Sequence, residues 1–253
     1  MSRILNNFGL ENENMICNAF NGHTYEELNE NLQRVVDKLF PEINEDDVFQ
    51  CHLTDNFIKP DIVLSSRGRN CFISIKTDHS LCMHTESIDS FISFLESLNV
   101  SEETLTTIRL FQFGDGTTDG SGERRMNYEE VYRWLGEKIA KANRELNDRI
   151  DLIEKVVDRV MFQGVDLLAD SADYIYVGTV DYGVLVSKRQ IKSVLRKNNW
   201  HFYDNLHIGP IMLRPHARYA NRTIISDDRR RHVMFSWARF NDEILYMTRH
   251  FYF

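Results

Sequence analysis

Proline and cysteine are both scarce in this 253-residue chain, at four residues each. Cys17, Cys51, Cys71 and Cys82 form no CxxC pair and no regular series. That spacing argues against a disulfide framework or a zinc knuckle and implies a reduced, cytoplasmic setting. No apolar run approaches the ~18 residues of a membrane span, so no membrane partner is expected. The opening Met1-Ser2-Arg3-Ile4-Leu5-Asn6-Asn7 has no apolar signal core, so no secretory leader is expected either. Repeats and low-complexity tracts are missing. Glycine is sparse except between Gly114 and Gly122, and that cluster lacks the Lys-Ser/Thr ending of a Walker A loop.

What is present is enough apolar content, 42%, to bury a sizeable core as one domain. The net charge of −8 argues at first against a nucleic-acid partner, but it is unevenly spread. Ser187–Phe253 holds 13 Lys/Arg against 5 Asp/Glu, and the preceding residues carry all of the acidic excess. An acidic portion suited to cations and a basic C-terminal third suited to phosphates follow from that split. A solvated basic surface would look the same by charge alone.

The most informative stretch is Lys59 to Glu86. Two β-branched runs, Asp61–Leu64 and Cys71–Ile75, flank the polar turn Arg67-Gly68-Arg69-Asn70 and predict a β-hairpin. With those four residues as the loop, Ser66 faces Cys71 and Asp61 faces Lys76, with Cβ atoms about 5 Å apart. Ser74 shares the face of Lys76 through the period of two, and Asp78 shares it if the strand runs on. Ile88, Phe91, Ile92 and Leu95 then predict a helix with Thr85 as N-cap, which puts Glu86 in its first turn. A sheet-borne Asp, an adjacent Lys and a helix-borne Glu together suit a divalent metal with an amine beside it. Taken singly, the same residues read as a strand-entry turn, a strand-end cation and a favourable helix charge.

The order Pro60-Asp61, a hairpin, then Ser74-Ile75-Lys76 resembles the PD-(D/E)xK nucleases, the restriction-endonuclease-like superfamily. Ser74 stands where the family usually has its second acid. Some type II restriction enzymes resemble this chain more closely, with Ser-x-Lys on the strand and the acid on the following helix. The resemblance covers Lys59–Glu86 only. It implies an α/β (α+β) fold with a central mixed sheet flanked by helices, and a Mg²⁺-dependent, sequence-specific endonuclease acting on double-stranded DNA as a homodimer. It also implies Asp61, Lys76 and Glu86 as catalytic residues, with Asp61 and Glu86 holding the metal and Asp78 as the rival second acid. Because a first-helix Glu often reaches the metal in this fold, Glu26, Glu27 and Glu30 are candidates beside a solvated-face reading. The alternatives are a silent DNA-binding or assembly protein of the same fold, which the Ser74 departure favours, and an RNA- or structure-specific nuclease.

Across the rest of the chain, Thr24 and Glu27 form a capping-box signature that predicts a helix to about Phe40. Val48–Leu53 reads as a strand, and a helix follows Ser101. Asn127–Asn147 and Ile150–Phe162 predict a helical hairpin ending at Gly164. Asp173–Val177 and Gly183–Val186 read as strands, Lys188–Lys197 as a basic helix capped by Ser187 and Gln190, and Ile208–Leu213 and His232–Trp237 as further strands. One domain over 1–253 is expected, with a catalytic core at 1–111, a helical insertion at 112–164 and a basic, β-rich DNA-binding part at 165–253. Arg124 and Arg125 at the base of the glycine loop, and Arg214, Arg218, Asn221 and Arg222, are the expected DNA contacts, since arginine forks suit phosphates and guanine edges. Arg229-Arg230-Arg231 reads equally as a phosphate contact or a solvated turn.

Overall fold

The computed structural model describes residues 2–55, 59–77, 82–122, 125–197, 200, 205–216 and 228–243. The chain divides into two compact units that interleave in sequence: Met1–Ser80 with Met161–Val194 and Phe240–Phe253, and Leu81–Val160 with Leu195–Arg239.

The first unit is built on a five-stranded mixed sheet in the order β1-β2-β3-β5-β6. Its strands are β1 (Gln50–Leu53), β2 (Ile62–Ser66), β3 (Arg69–Lys76), β5 (Tyr174–Gly178) and β6 (Gly183–Ser187). The β3–β5 pair is parallel and the other pairs are antiparallel. The hairpin is present, with a register two residues tighter than expected: Ser66 faces Arg69 and Ile62 faces Ile73. The loop is Arg67-Gly68 alone, with φ of 50° and 76°. Two central residues at positive φ make the turn whose twist matches the flanking strands, so the shorter loop wins. A slip of two preserves which face each side chain takes.

Two helices cover this sheet. The first, α1 (Ser2–Phe20), occupies the Asn-rich stretch to which the sequence reading gave no element. It buries Ile16, Cys17 and Phe20 against Leu32, Val36, Leu39, Phe49, Leu64 and Ile73 in one apolar core. The second, α2 (Glu30–Leu39), starts later than the Thr24 signature implies, because Asn29 is its N-cap and accepts from Leu32 N. Thr24 does bond Glu27 as a capping box would, but it also bridges Val48 in extended backbone, and that tertiary pairing overrides the local signal.

The second unit holds a four-stranded antiparallel sheet in the order β4-β9-β8-β7, from Cys82–Ser87, His232–Ser236, Ile211–Pro215 and His207–Ile208 respectively. Its helices include α3 (Ile88–Ser97), α4 (Glu102–Phe113), α5 (Tyr128–Asn147) and α6 (Ile150–Val157), the last followed by a π-helical turn at Asp158–Gln163. Ser101 caps α4, and Asn127 caps α5 as a full capping box with Glu130. Phe235 packs edge-on to Phe91 at 4.7 Å between ring centroids, tying β9 to α3. Asn143 and Asn147 of α5 bond the backbone of Asn205, His207 and Gly209, which occupies groups of the edge strand β7 that would otherwise be open to another chain.

Thr85 is not the cap of α3. Ser87 is, accepting from Ser90 N at 3.1 Å, and Thr85 and Glu86 lie in β4 opposite Met234 and Val233. Pairing with a strand some 150 residues later extends the chain there, a contact that local pattern cannot show.

Candidate active site

The far end of the hairpin from its turn brings Asp61, Ser74, Ile75 and Lys76 together. Pro60 has no N–H with which to continue the ladder, and its carbonyl accepts from Thr54 Oγ1. Asp61 instead turns its carboxylate onto β3. Oδ2 accepts from the Ser74 hydroxyl at 2.9 Å and from the Ile75 N–H, while Lys76 Nζ stands 3.5 Å away. The ammonium also donates to the Ile75 carbonyl at 2.9 Å. Both charged side chains keep some exposure, 21% for Asp61 and 16% for Lys76. The tighter register takes Lys76 off the position opposite Asp61, but the two side chains still meet, and Ser74 serves as a donor that fixes the carboxylate.

Glu13 of α1 lies within electrostatic reach of this group. Burial, and then the negative charge of Asp61, push its carboxyl up to about 7, with Lys76 pulling the other way. Asn12 next to it donates from Nδ2 to Gly178 O at 2.9 Å, which pins α1 to the end of β5 where Val177 pairs with Lys76. The sequence reading missed Glu13. Ile16, Cys17 and Phe20, at spacings of one and three, carry the helical signal that could have placed it.

Glu26, Glu27 and Glu30 are exposed on the chain around α2, and the last two are engaged locally with Thr24 and Arg34. The solvated-face reading of these three acids is the one the structure supports. Glu86 is almost wholly buried on β4, where Arg159 grips both of its oxygens at 3.0 and 2.6 Å. Arg159 also donates to Ser90 Oγ at 2.8 Å and lies over the Phe94 ring at 4.6 Å. Glu86 is thus strand-borne and committed to a guanidinium, rather than presented by a helix's first turn. It belongs to the second unit, while Glu13, Asp61 and Lys76 belong to the first.

Asp61 and Glu13 are hard oxygen donors, two carboxylates in mutual repulsion beside one amine. Such a pair suits Mg²⁺, which binds through one or two carboxylates and keeps several waters. Among the described residues no three His, Cys, Asp or Glu side chains converge to hold a metal, so a zinc-type cage is not seen there.

The glycine loop is organised around Asp115, whose side chain is fully buried against Arg230 at 2.8 Å. Its oxygens also accept from the N–H groups of Thr117 and Gly122. Arg230, one of the three consecutive arginines, is therefore a structural cation. Arg125 donates to the Phe111 and Gln112 carbonyls and closes the end of α4, instead of standing ready for DNA at the loop's base. Arg214 lies on β8, half-buried. Asp78, Arg124, Arg218, Asn221 and Arg222 lie outside the described residues.

No protein-family model matches the chain, and no curated protein sequence matches it. Its structure is similar to the crystal structure of restriction endonuclease MspI in complex with its cognate DNA, with a TM-score of 0.51. The match spans 88% of this chain and 86% of that one at 12% sequence identity. The chain has a mixed α/β architecture of the restriction-endonuclease-like fold.

Proposed function

We propose that this protein is a divalent-metal-dependent endonuclease that hydrolyses phosphodiester bonds in double-stranded DNA at a specific sequence, and that it acts as a homodimer. The observation that carries the reading is the contact of Asp61 with Ser74 and Lys76 at one end of the hairpin, within electrostatic reach of Glu13 and within a restriction-endonuclease-like fold. Asp61 and Glu13 would hold Mg²⁺, so the second carboxylate is assigned to Glu13 in place of Glu86. The ion's contribution when bound is to polarise a phosphoryl oxygen and to lower the pKa of its water. Ser74 and the Ile75 N–H fix the Asp61 carboxylate so that one oxygen remains for the metal. Lys76, steadied by the Ile75 carbonyl, orients the attacking water and offsets charge developing on the phosphate. The basic C-terminal third supplies the grip on DNA, with Arg214, Arg218, Asn221 and Arg222 as its assigned contacts and Arg124 as a further one.

The test is digestion of a long unmethylated duplex with Mg²⁺, with EDTA, and by Lys76→Ala in Mg²⁺. Discrete fragments that vanish in both controls are expected. Cutting that survives Lys76→Ala would make the hairpin a scaffold. No cutting by the wild type alongside retained DNA binding would replace the nuclease with a silent binding protein.

A further inference from the structure

Arg214 is the one arginine of the second unit's sheet whose surroundings leave it unfinished. Arg159 and Arg230 are each buried and matched to a carboxylate. Arg214 has no ion pair or hydrogen bond among the described residues, and its Nε–H is buried without an acceptor. A buried guanidinium donor left unmatched costs on the order of 1–3 kcal/mol, so a fold that keeps one either wastes stability or holds it for a ligand.

Its placement on the sheet says which ligand. Thr85, Met234 and Arg214 stand directly opposite one another across β4, β9 and β8 and so share a face. Met212 joins them two residues along β8, and His232 two residues along β9. The opposite face, with Leu213, Val233 and Phe235, is core. On the Arg214 face, Met212, Met234 and His232 are only half-buried and Thr85 is exposed. The Ser236 hydroxyl, opposite Met212 on this face, is also buried without a partner among the described residues. Arg214 therefore shares its face with two methionines and a buried hydroxyl, and among the described residues it pairs with no carboxylate.

We propose that Arg214 is a specificity-determining residue that reads the paired O6 and N7 acceptors of a guanine in the DNA major groove. The inference rests on the DNA-binding reading above. A phosphate contact asks only for positive charge, which an exposed lysine supplies. A rigid planar fork flanked by apolar side chains suits a planar pair of acceptors on a base edge.

The experiment is selection of bound duplexes from a randomised pool in EDTA by the full chain, by Arg214→Lys and by Arg214→Met, with binding measured across a salt series. The wild type is expected to enrich a motif containing a G·C pair. Both variants are expected to lose roughly 5–150-fold of discrimination at that one pair, which is the worth of one bidentate base contact. Arg214→Lys should keep the wild-type salt dependence. Arg214→Met should melt at or above the wild-type temperature, because it removes an unmatched buried N–H donor, so loss of discrimination cannot be put down to unfolding. Weakening that is uniform across sequences, restored by Lys and accompanied by a shallower salt slope in Arg214→Met, would make Arg214 a phosphate contact and overturn the proposal. Unchanged discrimination would also overturn it, as would a wild type that enriches nothing. Plasmid cleavage run in parallel separates the two readings: Mg²⁺-dependent cutting with no enriched motif defeats Arg214 alone, and an enriched motif lost in the variants without cutting defeats only the nuclease.

Discussion

The two units each contain a conspicuous acid–base contact, and the two are built in opposite ways. Glu86 and Arg159 meet through two short hydrogen bonds with side chains only 2% and 7% exposed, and Ser90 and the Phe94 face occupy more of the guanidinium. Asp61 and Lys76 meet once, at 3.5 Å, and Glu13 adds a second carboxyl within electrostatic reach. The first arrangement commits both carboxylate oxygens to one guanidinium. The second carries more negative charge than its own amine offsets, which is the condition of a site that accepts a cation. Residue type alone separates them poorly, since each is a carboxylate beside a base.

The comparison breaks most visibly at the loose pair. Asp61→Asn and Lys76→Ala are each expected to lower Mg²⁺-dependent cleavage by on the order of 10²–10³-fold while shifting the urea midpoint little. A large loss of stability in either variant would mean that the hairpin end is structural after all. At the tight pair the signs exchange. Glu86→Ala leaves Arg159 buried without its carboxylate and is expected to cost about 3–5 kcal/mol of folding free energy. Cleavage per folded molecule should be retained. If Glu86→Ala instead stays stable and stops cutting, Glu86 returns to the chemistry and Glu13 loses its assigned role.

Glu13 sharpens the contrast through pH. With its folded pKa raised to about 7 from an ordinary 4.5, the folded chain keeps a proton there that the unfolded chain gives up between those values. Stability from this group is therefore lost as pH rises through that window and stays lower above it. In metal-free protein, Glu13→Gln should raise the melting temperature at pH 8 and give no gain at pH 4. The gain is about 1 kcal/mol once partial exposure and screening are allowed for. Added Mg²⁺ should stabilise the wild type at pH 8 more than the variant. Equal behaviour of the two proteins at both pH values would remove Glu13 from the site.

How much of this was legible follows the range of the contacts. The hairpin, the nearness of Asp61 to Lys76, the helices after Ser101 and from Asn127, and the cap at Ser187 rest on neighbours in sequence or on a period of two, and each is found, although the hairpin register is two residues tighter. Glu86 was misplaced because β4 exists only by pairing with β9, and Thr24 because it bridges Val48. Glu13 was passed over because α1 is polar along most of its length. Its meaning comes from Asn12 docking at Gly178, a contact 166 residues away. Arg230 reads in sequence equally as a phosphate contact or part of a solvated turn, and its buried pairing with Asp115, 115 residues away, is invisible there.

The smallest effect tests whether the hairpin's two ends are independent. Gly68 has φ of 76°, and a Cβ added there would meet nothing within 4 Å. Gly68→Ala therefore carries only the backbone cost of a left-handed alanine, about 1 kcal/mol, with no steric clash to add to it. The turn lies at the opposite end of β2 and β3 from Asp61 and Lys76, and the ladder from Ile62–Ile73 to Ser66–Arg69 separates them. Cleavage at saturating Mg²⁺ should be unchanged below the melting transition. Inserting one residue between Arg67 and Gly68 is the harsher form of the same test. If the extra residue is absorbed as a longer loop, the Asp61–Ser74 contact persists and activity is kept; if the register slips by one, every β3 side chain changes face and activity is lost. Retention is expected, because Ile73 and Ile75 would have to leave the core for the slip to occur.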